Sequence, residues 1–231
     1  MGELKLNQLM KSVRAEAFTL IELLAIIAVL AVIAAMVVPR LQAEPRGKYG
    51  LSCMNNQKQI EMGLAMWAED NDHQFPWNVS TKDGGTKELI ADGQAATQFQ
   101  VLSNLVQNPS AFVCPKDKLK LTAAKTSMLS NSNISYFVNV DASMETNSAN
   151  VILTGDRHLE VASNPVRPGL FVYTNGMAMS WTDELHHQSN FSRLGVIAFC
   201  DCHVESVLVH KTELTDVFNR QKLASERLLV P

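Results

Sequence analysis

The chain has 231 residues, of which 46% are hydrophobic and 19% charged, and a formal net charge of −3. Without residues 1–17, where Lys5, Lys11 and Arg14 are set against Glu3 and Glu16, 17 basic and 21 acidic residues remain. That balance excludes the basic stripe on which nucleic-acid binding depends, and the remaining length suits one globular domain with a modest core.

The first element in chain order is an apolar run. Phe18 to Val38 is 21 residues, which as a helix rises roughly 32 Å at ~1.5 Å per residue, about one hydrocarbon core. With the basic residues ahead of it, the run predicts a single transmembrane span, N-terminus in the cytoplasm and the remainder outside. Its side chains Leu20, Ile21, Leu23, Leu24, Ile26, Ile27 and Leu30 suit lipid and neighbouring helices equally. One carboxylate interrupts them, Glu22. A charge costs about 3 kcal/mol at mid-membrane on insertion scales, less toward an end, so Glu22 points to a cationic partner.

The string Ala17-Phe18-Thr19-Leu20-Ile21-Glu22-Leu23-Leu24, followed by an apolar helix, resembles the class III leader of type IV pilins and type II secretion pseudopilins. The resemblance implies that a prepilin peptidase cuts between Ala17 and Phe18 and methylates the new amine of Phe18. It also gives Glu22, fifth in the mature chain, a role in subunit assembly. The usual residue before the cut is Gly; here it is Ala17. Pro39 falls where pilins commonly carry a helix-kinking proline. The implied partners are the prepilin peptidase, other pilin or pseudopilin subunits, the inner-membrane assembly platform and the lipid bilayer, with the outer domain on the periplasmic side.

Physical chemistry bears on the same pairing. The amine released on Phe18 has a reference pKa of about 8 and lies one helical turn from Glu22. In poorly hydrated surroundings the two charges attract strongly, although desolvation takes back much of the gain. Between subunits such a pair sets axial register, as a buried polar residue does in a coiled coil. Two rivals stay open: a conventional signal peptide, with a shorter apolar core, and a signal anchor tethering an extracytoplasmic enzyme or ligand-binding domain.

Further along, Glu44-Pro45-Arg46-Gly47 predicts a bend. Helical pattern resumes at Leu51, with Met54, Gln57, Ile60, Glu61, Leu64 and Trp67 at a spacing of three or four. Asp70-Asn71-Asp72-His73 and then Pro76 end that helix; the acids lack the Gly and Glu that a calcium loop needs. Residues 78–112 read as irregular, with a short helix over Ala96–Leu105. Short strands are predicted over Ile134–Val140, Val151–Gly155, Leu170–Tyr173, Gly195–Cys200 and His203–Val209. A last helix opens at Thr212, with Leu214, Val217, Phe218 and Leu223 on one face.

The expected fold class is therefore α+β: a long transmembrane helix, bent near Pro39–Gly47, continuing into a pilin-like domain with a small antiparallel sheet and a C-terminal helix. The expected divisions are a leader (1–17), the span (18–38), its helical continuation (39–73) and the outer domain (74–231). Short strings in that domain also resemble the large pilin-like proteins of planctomycete and verrucomicrobial bacteria. They are Cys53-Met-Asn-Asn-Gln-Lys-Gln-Ile, Phe112-Val-Cys-Pro-Lys-Asp, Ser135-Tyr-Phe-Val-Asn, Thr154-Gly-Asp-Arg and Phe199-Cys-Asp-Cys-His-Val-Glu. Where that family has Asp-Gly-His, this chain has Asp201-Cys202-His203, and Cys202 in place of Gly either costs roughly 1 kcal/mol or indicates a different turn.

Cys53, Cys114, Cys200 and Cys202 allow three disulfide pairings, of which Cys53 with Cys114 is preferred. His186, His187, Cys200, Asp201, Cys202 and His203 offer enough ligand types for a metal, but Cys-x-Cys-His lacks the usual two-residue gap. Turn and sheet structure is the favoured reading there. Neither a Ser nucleophile elbow nor a glycine-rich phosphate loop is present. The sequence thus predicts a non-enzymatic filament subunit without cofactor or metal.

Overall fold

A computed structural model describes the backbone of residues 19–42, 48–144, 148–182, 186–189, 192–209, 213–221 and 224–231. Side chains are described for residues 19–33, 51–144, 149–182, 194–207, 214–221 and 224–231. The chain divides into two compact units, Met1–Pro45 and Arg46–Pro231.

The first unit contains helix α1 (Leu20–Gln42, 23 residues). Alanines and leucines favour the helix, and the β-branched valines and isoleucines cost it little. Pro39 lies within it, so the helical backbone continues three residues past the proline.

In the second unit, helix α2 (Lys48–Glu69) buries one stripe: Cys53, Gln57, Ile60, Glu61, Leu64, Trp67 and Ala68. The three-and-four spacing puts these side chains on one face. Gly63 permits close packing there, because a Cβ would come within 2.6 Å of Val106 Cγ2. Past its end, Asp72 and His73 take left-handed φ of 53° and 57°, and Asn71 Nδ2 donates to the Trp67 carbonyl at 2.7 Å. Such a reversal satisfies carbonyls that the last turn leaves without partners. The chain then passes through 3-10 turns and the short helix α3 (Ala95–Gln100).

Ten strands follow: β1 (Tyr136–Asn139), β2 (Ile152–Asp156), β3 (Leu159–Val161), β4 (Asn164–Pro165), β5 (Gly169–Thr174), β6 (Met179–Trp181), β7 (His186–Ser189), β8 (Ser192–Phe199), β9 (Val204–Val209) and β10 (Ser225–Val230). Helix α4 (Glu213–Asn219) lies between the last two. The larger sheet has seven antiparallel strands in the order β5-β10-β1-β2-β8, and the smaller has three, β4-β3-β6. β9 pairs with Arg193–Ala198 of β8. β2 and β7 pair with opposite ends of β8, so they share its other edge.

Neighbouring residues on the central strands serve different cores. Val138, Leu153, Val196 and Leu229 join the core that includes Ile60 and Leu64 of α2. Phe137, Ile152, Ile197 and Leu228 join the opposite core, with Trp181 of β6 and Phe218 of α4. A sheet covered on both faces reads as short continuous apolar runs rather than as alternation. Gly195 makes room for Trp181, whose indole ring a Cβ at that position would strike, and Trp181 Nε1 donates to the Val207 carbonyl at 3.2 Å.

Cys53 and Cys114 are joined by a disulfide with Cα atoms 5.3 Å apart. The bond ties α2 to the segment after the 3-10 turn Pro109–Phe112 and closes a separation of 61 residues. In the chain-entropy account a loop of that size is worth about 4 kcal/mol.

The expected fold class is corrected at three points. First, among the described residues no helix is long and apolar enough to cross a membrane. Second, the sheet is not small, having seven strands beside a second sheet of three. Third, the helix predicted from Thr212 is present as α4 (Glu213–Asn219), but strand β10 follows it and lies between β5 and β1 in the sheet interior. Burial on both faces gives it the unbroken Leu228-Leu229-Val230, which carries no period-two signal. Of the predicted bend, Pro39 lies inside α1, and residues 43–47 lie outside the described residues.

Candidate functional site

The first turn of α1 is built by Thr19 and Glu22. Thr19 lies just ahead of the helix, and its carbonyl accepts the Leu23 N–H at 3.1 Å. Its hydroxyl accepts the Glu22 N–H at 3.3 Å. Glu22 Oε2 in turn accepts the Thr19 N–H at 2.9 Å and the Thr19 hydroxyl at 2.8 Å. This is a capping box, in which residues three apart satisfy each other's backbone donors. Beyond it the apolar side chains face outward: Leu20 is 78% exposed, and Ile26, the least exposed of the large ones, 45%. Leu20, Ile21, Leu23, Leu24, Ile26, Ile27 and Leu30 all belong to this exposed surface.

Ala17 and Phe18 lie outside the described residues, and Val38 is described only as helical backbone. Sequence reading singled out Glu22 for its charge and missed Thr19. The signal was present: Thr followed three residues later by Glu, ahead of an apolar run, is the capping-box signature.

In the second unit the strings Cys114-Pro-Lys-Asp and Thr154-Gly-Asp-Arg meet. Arg157 donates to both carboxylate oxygens of Asp117, and His158 Nε2 lies 3.5 Å from Asp117 Oδ2. Burial favours the neutral acid, but hydrogen bonds from His158 and Arg157, with the Arg157 charge, outweigh it. They hold the Asp117 carboxyl well below the usual carboxylate range. Lys120, half-buried nearby, is lowered to about 8 by burial and by the Arg157 charge.

Glu61 faces the β8–β9 turn. It is fully buried, and neither carboxylate oxygen has a hydrogen bond. Burial and the Asp201 charge push its carboxyl up to about 9. Asp156 rises to about 8 through burial, opposed by the Val196 N–H that it accepts at 2.7 Å. Glu226 rises to about 7 for the same first reason, opposed by bonds from Asn139 and Gln221. At pH 7 Glu61 and Asp156 are thereby held largely neutral, whereas Glu226 is near half ionised.

In the turn itself, His203 Nδ1 is 2.5 Å from Asp201 Oδ1, and the imidazole stacks on Phe199 with centroids 4.2 Å apart. Cys200 is buried, and its thiol is pushed far up chiefly by burial; Cys202 is raised for the same reason. Raised thiols are poor nucleophiles and poor metal ligands. His186 and His187 lie on β7 with side chains outside the described residues. Among the described residues no group of three His, Cys, Asp or Glu side chains is placed to hold a metal ion. Comparison of the chain with family models, with curated proteins and with solved structures found no match in any of the three.

Proposed function

We propose that the chain is a pseudopilin-type filament subunit. Prepilin peptidase removes residues 1–17 and methylates Phe18, and the subunit joins a type II secretion or type IV pilus-like filament through α1. The observation that carries this reading is a capping box that opens a helix with exposed Leu20, Ile21, Leu23 and Leu24. Each such side chain gains roughly 1.5–3 kcal/mol on burial, and an exposed apolar surface of this extent marks an interaction site. Other subunits supply matching helices, and the assembly platform of the bacterial cytoplasmic membrane is the place where they meet.

The Cys53–Cys114 disulfide supports an oxidising compartment for the second unit. In the assembled state the Phe18 amine of one subunit approaches Glu22 of its neighbour. Glu22 then serves two partners, Thr19 within its own helix and the amine from outside.

The test is the mass of the purified N-terminus after co-expression with a prepilin peptidase. Loss of residues 1–17 together with a methyl group on Phe18 is the expected outcome. A chain that keeps its leader while functioning in its native cell overturns the proposal and leaves the tether.

A further inference from the structure

We propose that the segment from Lys118 to Met128 is a contact site for an anionic phospholipid surface. The proposal stands independently of filament assembly. In this segment the usual patterning is inverted. Leu119 is 70% exposed, Leu121 72% and Met128 63%, whereas Lys120 between the two leucines turns inward and donates from Nζ to the Asn131 carbonyl at 2.7 Å. Leu119 lies in a turn closed by the Lys120 N–H, which donates to the Asp117 carbonyl at 3.3 Å, so the lysine is tied down beneath while the leucines on either side of it stay exposed.

The backbone beneath them is held rather than loose. Leu121 N–H donates to the Ser132 carbonyl at 3.1 Å, and Asn133 Nδ2 donates to the Leu121 carbonyl at 2.7 Å. Leu119 N–H donates to Asp117 Oδ1 at 3.3 Å. At the far end the Thr126 hydroxyl, which is buried, donates to the Val106 carbonyl at 2.7 Å. Exposed leucines on a fixed backbone lose little further entropy on binding.

Charge selects the occupant. Residues 116–128 contain four lysines and one acid, Asp117, in a chain that is acidic overall. Arg157 occupies that acid, and Lys118, next to Leu119 in the chain, and Lys125, farther along the same segment, are exposed. Leucines flanked by lysines suit the boundary between headgroups and acyl chains, where anionic lipids answer the lysines. A bilayer takes up protruding side chains without a matching pocket. A stable protein partner needs about 800 Å² of shaped surface on each side, more than three side chains supply.

The full chain is reconstituted in vesicles of phosphatidylcholine, with and without phosphatidylglycerol, and its lysines are acylated with a water-soluble reagent. Labelling is read by mass spectrometry, with the exposed Lys82 and Lys87 of the same unit as internal controls. Since α1 is present in every arm, a difference between lipids reports on the second unit. Labelling of Lys118 and Lys125 should fall about fivefold or more with phosphatidylglycerol and recover at about 1 M salt, where the Debye length is about 3 Å. Lys82 and Lys87 should not change, and L119S/L121S should remove the protection. Equal labelling of Lys118 and Lys125 in the two lipids overturns the proposal. Protection by polyglutamate without lipid, and none by phosphatidylglycerol, assigns the face to an acidic protein and overturns it as well.

Discussion

Arg157 grips Asp117 with two parallel bonds, Nε to Oδ2 at 2.7 Å and Nη2 to Oδ1 at 3.0 Å. Asp117 lies three residues beyond Cys114, which is bonded to Cys53 of α2, and Arg157 directly follows β2. One short stretch of chain is thereby fastened to a helix by a covalent bond and to the sheet by an ion pair. The two attachments differ in what undoes them: a reductant for the first, acid for the second.

Acid sensitivity follows from the pair. The Asp117 side chain is 1% exposed and that of Arg157 14%. Breaking a buried pair by removing one partner costs about 3–5 kcal/mol, because the other charge stays desolvated. Asp117→Asn should therefore lower the unfolding free energy at pH 7 by about 3 kcal/mol. The Asp117 carboxyl is lowered in the folded state, so its contribution is present above the unfolded value of about 4 and is lost as pH falls below it. Urea titrations at pH 7 and pH 3 check both parts. Both proteins share the opposite pH dependence of the raised acids, so the difference between wild type and Asp117→Asn should be smaller at pH 3 than at pH 7.

Glu61 has the opposite sign. Its folded carboxyl is raised to about 9, so the folded state binds the proton over a range in which the unfolded chain has released it. The associated stability is full below about 4.3 and is lost as pH rises toward the folded value, by up to about 1.4 kcal/mol per unit. Glu61→Gln keeps the shape and removes the titration. It should be more stable than the wild type at pH 8, by up to a few kcal/mol, and about equal at pH 4.5. Asp156 and Glu226 are raised as well, so the variant should retain a shallower fall. Parallel curves for the two proteins would show that Glu61 does not titrate between these limits.

What the sequence revealed depended on how local the determinant was. The stripe from Gln57 to Trp67 was legible because one helix face imposes its spacing. The runs at Ile152 and Val196 were legible because two cores demand apolar residues in succession. β10 was hidden, since Leu228-Leu229-Val230 follows a helical stretch and nothing local distinguishes a buried strand from a helix tail. β3 and β4 are joined through Ala162 and Ser163 at φ of 49° and 67°, a reversal without the glycine that usually announces one. Asp117 and Arg157 are 40 residues apart, so only the folded chain pairs them. Glu61 could be placed on a helix face, but its protonation depends on the β8–β9 turn above it.

Cys202 offers a small stabilising change. It holds φ at 65°, where its N–H donates to the Phe199 carbonyl at 3.1 Å. A side chain there meets the steric cost that glycine avoids, roughly 1 kcal/mol. Cys202→Gly should raise the unfolding free energy by about 0.5–1 kcal/mol, seen as a higher denaturant midpoint with an unchanged slope. A lower midpoint would mean that the thiol contributes packing which the turn geometry does not reveal.

Glu22 caps α1 in the structure and has a second role only in the proposed filament, and one pair of substitutions can separate the two. Its Oε2 accepts the Thr19 N–H and hydroxyl, a task a side-chain carbonyl at that position also performs, since a capping box takes Gln as well as Glu there. Attraction of a cationic amine requires the charge. Glu22→Gln should therefore preserve the start of α1 while impairing filament incorporation. Glu22→Ala should impair incorporation and also weaken the first turn, by about 1 kcal/mol as other capping losses do. Thr19→Ala completes the comparison, since it removes the hydroxyl and leaves the charge, and should incorporate better than either. Incorporation is scored by recovery of each variant in sheared filaments beside wild-type subunits, and the first turn by amide exchange at Leu23. If Glu22→Gln incorporates as well as the wild type while Glu22→Ala and Thr19→Ala fail together, then the acid serves only to begin the helix, and the amine must find its counter-charge elsewhere.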